Sequence, residues 1–292
     1  MREHAREFHV RAMCRVFDVS PAGYYRFRRS KPSPRVEANE RLLEQIKAIH
    51  AQSRGNYGSP KMYQQLRRDG EAVNHKRVER LMRQHEIKAK RAQKFRVTTN
   101  SRHSLPIAEN IVARRFTVER PDEVWTTDIT YIWTDEGWLY LTVFLDLYSR
   151  LVVGWAVSES LTTTMVERAF INAQLRRAQA VSPLVHSDRG CQFASAAFRD
   201  RLAAWDCRQS MSRKGNCWDN AVTESFFGVL KNELIHHERF RTRHEALGKI
   251  FDYIEVFYNR MRIHSATNYF APAEYEARYH AAQREAQLKQ VA

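Results

Sequence analysis

The sequence predicts a mixed α/β core that follows a basic, all-helical region and precedes a helical C-terminal segment. Three strand-like runs, at 124–133, 138–147 and 151–157, come before an alternation of helical and strand patterns. That order is typical of a mixed sheet flanked by helices. Residues 37–85 carry apolar residues at helical spacing. The positive charge lies in the same front part of the chain, which predicts two regions with different roles.

The net charge of +15 is divided unevenly along the 292 residues. Residues 1–120 hold 28 Lys and Arg against 12 Asp and Glu, whereas residues 121–292 hold 20 against 21. An excess of Lys and Arg of this kind is typical of proteins that bind nucleic acid. The front is therefore expected to bind a polyanion and the back to form a near-neutral globular body. The alternative is a basic surface that only keeps the protein soluble.

Composition argues against two other classes of protein. No apolar run reaches the length of a membrane span, and the N-terminus lacks the apolar segment of a signal peptide. We therefore expect a soluble, intracellular protein with no membrane partner. The four cysteines include no Cys-x-x-Cys pair, so the sequence predicts no zinc site.

Residues 37–93 have the layout of a helix-turn-helix. The pattern predicts a second helix that starts at Pro60 with Ser59 as its N-cap, and a third helix at 75–85 capped by Asn74. In this motif the later helix enters the major groove of DNA. Its candidate DNA contacts are Lys76, Arg77, Arg80 and Arg83. The alternative interpretation is a small helical bundle with a basic, solvated face.

The rest of the chain divides by pattern. Residues 1–30 are predicted as a basic helical segment, 94–120 as a basic connecting arm, 121–235 as the α/β core and 236–292 as a helical C-terminal segment. The tail contains a predicted long helix at 243–259, and the ordered pattern is expected to end at Ala271-Pro272. The five predicted strands of the core are 124–133, 138–147, 151–157, 183–187 and 207–211.

Three acids stand out in the core because of where they lie. Asp128 is in the first strand, Asp188 follows the fourth strand, and Glu224 is in an amphipathic helix, with 35 residues between the last two. Carboxylates are the ligands that Mg²⁺ prefers, and a pair of such ions can stabilise both the attacking and the leaving oxygen of a phosphodiester. Most single acids in strands and helices are instead solvated or paired. Asp146, in the second strand, is the main rival and is expected either to pair with Arg150 or to cap a turn.

The segments around these acids carry a resemblance to a known family. They are WTTDITY (125–131), HSDRG (186–190) and DNAVTESFF (219–227). The three acids resemble the acidic triad of transposases and retroviral integrases with an RNase H-like core. The flanking segments are similar to those of the downstream-frame (OrfB-type) transposases of bacterial insertion sequences of the IS-three type, and the similarity covers nearly the whole chain.

The resemblance implies an RNase H-like core and a DNA transposase. Asp128, Asp188 and Glu224 would be catalytic and would hold two Mg²⁺ ions, with Mn²⁺ as a substitute. A strand would be cut at the element's end, and the freed 3′ hydroxyl would attack another phosphodiester. The partners would be transposon-end and target DNA, a second copy of the chain, and an upstream-frame helix-turn-helix protein or a frameshift fusion with it. The location would be the bacterial cytoplasm, associated with the nucleoid.

Three further residues are candidates for DNA contacts near the acids. Lys231 lies about two helical turns after Glu224, and the matching position in the family is basic; the alternative is an ordinary surface lysine. His186 either orients DNA or is a buried core histidine. Asn220 is a candidate by resemblance alone. Asp219 and Glu233 are nearby acids outside the matching positions.

Two other functions remain open from the sequence. An RNase H-like nuclease would share the metal site without joining strands, and a helix-turn-helix regulator would bind DNA without needing the acids.

Overall fold

The core of the protein is a five-stranded mixed sheet with the strand order β3-β2-β1-β4-β5. The computed structural model describes residues 1, 4, 6–29, 33–90, 105–114, 116–177, 181–213 and 217–291. Strands β1 to β3 are antiparallel neighbours, whereas β4 runs parallel to β1 and β5 runs parallel to β4. The predicted mixed α/β core is therefore confirmed. The strands are β1 (Val124–Thr134), β2 (Gly137–Asp146), β3 (Val152–Ser158), β4 (Leu184–Ser187) and β5 (Arg208–Met211).

Helices cover both faces of the sheet, so the sheet separates two hydrophobic cores. Trp125 and Phe144 belong to the core beneath α6 to α8, whereas Leu141 and Val143 belong to the core beneath α9 and α10. Neighbouring strand residues reach opposite cores because side chains alternate across a strand. The helices are α6 (Thr163–Arg176), α7 (Cys191–Ala194), α8 (Ala196–Ala203), α9 (Ala221–Glu233) and α10 (Arg243–Phe251), which continues as a π-helical stretch (Asp252–Tyr258).

The front of the chain is helical, as predicted. Asn74 caps α5 by accepting a hydrogen bond from the Lys76 N–H at 2.8 Å, and Val78 is fully buried on the packed face. The prediction that Ser59 caps α4 is wrong, because Gly58 occupies the N-cap and Ser59 is already helical. The helices are α1 (Val10–Val16), α2 (Pro21–Arg29), α3 (Pro34–Gln52), α4 (Ser59–Arg68) and α5 (His75–Gln84).

The unit formed by α3 to α5 packs against the C-terminal segment. Ile263 is buried in the hydrophobic core of this unit, and its N–H donates to the Tyr57 hydroxyl at 2.8 Å. Arg54 pairs with Asp252 at 2.5 Å across the same interface. The helical unit is thus held on the core by apolar and charged contacts.

The C-terminal segment is ordered further than the sequence predicts. The prediction that the ordered pattern ends at Ala271-Pro272 is wrong, because Pro272 begins α11 (Pro272–Val291). Proline suits the first turn of a helix, where its missing N–H would have no intrahelical partner. None of the helices in the described ranges is both long enough and apolar enough to cross a membrane. In the predicted connecting arm, residues 94–104 and 115 lie outside the described residues, and the described part, 105–114 and 116–120, contains no helix or strand.

Close approach of α6 to the sheet gives a prediction about Gly154 in β3. A Cβ added there would lie 2.5 Å from the Ala169 carbonyl oxygen and from the Ala173 nitrogen. Gly154→Ala should therefore lower the free energy of unfolding by about 1–3 kcal/mol through overpacking. The measurement is the urea midpoint of the full chain.

Gly248 in α10 is the matched control. An added Cβ at Gly248 meets nothing within 4 Å. Gly248→Ala should raise the free energy of unfolding by about 0.5–1 kcal/mol, since alanine favours helices more than glycine. Equal midpoints for the two variants would contradict the close packing of α6 on β3.

Candidate active site

Two of the predicted acids are brought together by the parallel pairing of β1 and β4. Thr126 of β1 is in register with His186 of β4. Asp128 and Asp188 each lie two residues further along, so they lie side by side where the parallel ladder ends. Asp128 is still within β1, and Asp188 directly follows β4. Chain turns at strand ends are where ligands reach a sheet of this kind.

The third acid, Glu224, is placed by the start of α9, where it lies in the first turn. The Thr223 hydroxyl donates to the Thr126 hydroxyl at 2.8 Å, in a buried position. The Asn220 amide also donates to the Thr127 carbonyl at 3.3 Å. These contacts hold the first turn of α9 against the two residues that precede Asp128. The partial positive charge of a helix N-terminus also favours a carboxylate there.

The three carboxylates influence one another electrostatically. Burial raises the pKa of Asp128 well above its ordinary value, and the negative charges of Asp188 and Glu224 raise it further. Burial and Asp188 likewise raise the pKa of Glu224. Each acid is half-buried. A cation at this site would relieve the repulsion and favour the charged forms.

The donor set at this site consists of carboxylate oxygens, the ligand type that Mg²⁺ and Mn²⁺ prefer. Asp128 Oδ1 accepts the Ile129 N–H at 2.7 Å, and Asp188 Oδ1 accepts the Gly190 N–H at 2.9 Å. Across the described residues, no three His, Cys, Asp or Glu side chains converge closely enough to form a metal cage. The chemistry of the donors fits a hard divalent cation, and one oxygen of each aspartate is held by the backbone.

Lys231 of α9 is close to the acids but mostly enclosed. The residue is 8% exposed, and its Nζ lies 5.4 Å from the centroid of the Tyr131 ring. Burial lowers the pKa of Lys231, and the negative charge of Asp128 opposes that shift. A positive charge thus lies beside the first acid of the site.

His186 and Asn220 are engaged inside the protein, and for His186 this is the buried core histidine that the sequence left open beside a role in orienting DNA. His186 is fully buried, with Nδ1 2.9 Å from the Ser210 hydroxyl and Nε2 2.9 Å from the Asp219 carbonyl oxygen. Because burial lowers the pKa of His186, the ring is neutral. A carbonyl only accepts, so Nε2 carries the proton and Nδ1 accepts from Ser210. Asn220 is 3% exposed and bonds to Thr127. Both side chains position α9.

Two other acids have structural roles near the site. Asp146 is fully buried and caps a turn by accepting the Ser149 N–H at 2.7 Å, and burial raises its pKa to about 6. Asp219, which the motif pattern leaves out, is clamped by Arg213 and Arg114. Arg213 holds the pKa of Asp219 well below its usual range. Asp219 therefore holds the segment before α9 in place. In the sequence, the one indication of this role is the position of Asp219 beside Asn220.

Most of the predicted DNA contacts of α5 point outward. Lys76, Arg80 and Arg83 are exposed, and Arg83 pairs with Glu79 at 2.8 Å. Arg77 is half-buried, and its Nε donates to Asn39 at 2.9 Å. A recess of about 520 Å³ between the starts of α3 and α5 has mostly polar and basic walls. It is lined by Arg35, Ala38, Asn74, Lys76, Arg77 and Arg80.

Comparisons with known proteins match both parts of the chain. A model of the HTH-like domain matches residues 37–95, and two integrase core domain models match 118–217 and 224–279. The integrase core match agrees with the predicted RNase H-like arrangement of the sheet. Among solved structures, the HTLV-2 integrase catalytic core domain in complex with magnesium has 16% identity and a TM-score of 0.43, covering 55% of this chain and 99% of that chain.

Two relatives align over nearly the full length. The insertion element IS600 uncharacterized 31 kDa protein of Shigella sonnei is 41% identical over 268 residues, which is 92% of this chain and 98% of that protein. The transposase InsF for insertion sequence IS3A of Escherichia coli K12 is 39% identical over 278 residues, covering 94% and 96%. The chain therefore belongs to the IS3 family of InsF transposases.

Proposed function

We propose that this chain is a DNA transposase in which Asp128, Asp188 and Glu224 hold the divalent cations needed for strand cleavage and strand transfer. The observation that carries the proposal is geometric: parallel pairing of β1 and β4 supports a location of Asp128 beside Asp188, and the Thr223–Thr126 hydrogen bond holds the turn that carries Glu224 against β1. Membership of a transposase family supports transposition over a nuclease that cannot join strands and over a regulator without chemistry.

In this proposal the three acids of the site bind metal, whereas Lys231 binds DNA. When bound, two Mg²⁺ ions, or Mn²⁺ in their place, supply activation of the attacking oxygen and stabilisation of the leaving oxygen. Asp128 and Asp188 present their carboxylates from the rigid sheet, and Glu224 is held beside them by Thr223. Lys231 carries the positive charge that holds a DNA phosphate next to the acids. The nucleophiles are water and then the 3′ hydroxyl of DNA, so no protein nucleophile is required.

We further propose a division of labour along the chain. Residues 37–93 bind duplex DNA through α5, with help from the basic segment 1–30 and the arm 94–120. Residues 121–235 carry out the chemistry, and residues 236–292 hold the two parts together. The family resemblance supports a homo-oligomer on DNA and an upstream-frame partner or fusion. Action on chromosomal DNA supports a location at the nucleoid.

The first test removes one charge from the site without changing its shape. Asp188→Asn should reduce both cleavage and strand transfer of a labelled element end by on the order of 10³-fold or more, because residues that act as a unit fail together. Asp128→Asn and Glu224→Gln should behave alike. Asp200→Asn on the exposed side of α8 is the control and should leave both rates unchanged. A folded Asp188→Asn protein that cuts and joins at the wild-type rate would refute the assignment.

The second test measures metal binding without activity. Mg²⁺ at about 100 times its dissociation constant should add about 2.7 kcal/mol to the free energy of unfolding, since it binds only the folded chain. Asp188→Asn should raise the stability of the metal-free protein by relieving repulsion and should lose most of the Mg²⁺ effect. Lys231→Ala should keep the Mg²⁺ effect while weakening DNA engagement. An unchanged Mg²⁺ effect in Asp188→Asn would count against the proposed ligands.

The third test concerns duplex DNA and α5. The double variant Lys76→Glu/Arg80→Glu in the full chain should bind duplex DNA more weakly and with a smaller salt dependence. Each lost phosphate contact should reduce the slope of log affinity against log salt by about 1. The control is Arg284→Glu/Lys289→Glu, which makes the same charge change on the exposed end of α11. If the control weakens binding as much as the α5 variant does, α5 is not the main DNA contact.

A further inference from the structure

We propose that the exposed aromatic end of the β1–β2 hairpin is a stacking platform for unpaired bases of the DNA strand at the active site. The platform consists of Trp133 and Trp138, with Tyr131 linking them to the acids. The proposal rests on the proposed function in one respect, namely that DNA reaches Asp128. It adds a binding site for a defined ligand, which is single-stranded or unpaired nucleotides next to the reacting phosphodiester.

The two tryptophans form a cross-strand pair near the hairpin turn. Trp133 is in register with Trp138, and their ring centroids lie 4.9 Å apart in an edge-to-face arrangement. They are 57% and 44% exposed, whereas Ile132 and Leu139 beside them are buried on the other face of the hairpin. Large aromatic rings left exposed on an otherwise packed hairpin indicate a binding surface.

A row of contacts runs from this pair to Lys231, which lies near the acids. The Tyr131 ring centroid lies 5.2 Å from that of Trp138, and Lys231 Nζ lies 5.4 Å from the Tyr131 centroid. The negative charge of Asp128, three residues before Tyr131 in β1, acts in turn on the pKa of Lys231. A strand whose phosphate is held at Lys231 would therefore bring its neighbouring bases over the aromatic rings.

The platform is fixed before any ligand binds. At the turn, the Asp135 N–H donates to the Phe240 carbonyl at 3.0 Å, and the Arg243 N–H donates to the Glu136 carboxylate at 2.7 Å. Arg243 Nε also donates to the Trp138 carbonyl at 3.2 Å. Because the hairpin end is anchored to Phe240 and to the first residue of α10, stacking would cost little additional ordering of the backbone.

Basic side chains lie beside the platform, together with the acids of the hairpin turn. Arg239 and Arg241, on the segment that anchors the hairpin turn, are exposed, and the Arg239 side chain is 85% exposed and pairs with Asp135 at 3.3 Å. Aromatic rings interleaved with basic side chains are the usual platform for single strands, because every base has a face that can stack. Bases inside a duplex are already stacked, so only unpaired bases can use these rings.

The test compares two DNA probes in the full-length Asp188→Asn protein without divalent metal. One probe is a fully paired duplex, and the other has the same sequence with unpaired nucleotides at one end that include 2-aminopurine. Trp133→Ala/Trp138→Ala should weaken binding of the unpaired probe by about 5- to 150-fold per stacked base, with loss of 2-aminopurine quenching. Binding of the paired duplex should change little, and Trp133→Phe/Trp138→Phe should restore most of the affinity. Phe251→Ala, an exposed aromatic on α10, is the control and should have no effect.

An unchanged ratio of affinities for the unpaired and paired probes in a folded double-alanine variant would overturn the proposal. If that variant also lost self-association, the surface would instead be a contact between copies of the chain. Because binding is measured without metal or catalysis, an error in the proposed metal ligands would appear in the cleavage assay and not in this ratio.

Discussion

The buried ion pair between Glu233 and Arg262 is the interaction on which the rest of the arrangement depends. Arg262 Nη2 lies 2.7 Å from Glu233 Oε1, and the two side chains are 5% and 12% exposed. The Tyr253 hydroxyl also donates to Glu233 at 2.8 Å, which helps to offset the cost of burying the charges. In general, removing one partner of such a pair destabilises a protein by about 3–5 kcal/mol, because the other charge stays buried. Since Glu233 ends α9, this pair fixes the helix that carries Glu224.

The same ion pair connects the unit formed by α3 to α5 to the core. Arg262 is followed by Ile263, which enters the hydrophobic core of that unit. Lys90 Nζ, at the end of the unit, donates to the Glu233 carbonyl at 2.8 Å. The uneven charge of the sequence suggests two independent regions, but the contacts show that α5 is held in place relative to Asp128 by packed side chains. The position of α5 relative to the three acids is therefore fixed by these contacts.

Local patterns made the sheet and most helices predictable, because apolar runs and caps are encoded by neighbouring residues. Features that depend on distant residues were not predictable. The bond between Thr126 and Thr223 joins residues 97 positions apart, and the burial of His186 depends on Ser210 from the neighbouring strand. The exposure of Trp133 is also not predictable from the sequence, because an alternating strand pattern does not show which part of the strand the helices cover. The acids themselves were identified through their flanking segments, whereas their mutual pKa effects required the fold.

The three carboxylates of the candidate site lie near one another although their negative charges repel. Burial raises the pKa of Asp128 and of Glu224, and the charge of Asp188 raises both further, so the site opposes its own ionisation in the absence of a cation. Repulsion alone would favour moving Glu224 away from Asp128. The helix α9 resists that movement because both of its ends are fixed, at the start by Thr223 on β1 and at the end by Glu233 on Arg262. The contacts at the two ends of this one helix thus hold Glu224 near Asp128 and Asp188 in spite of the repulsion between their charges.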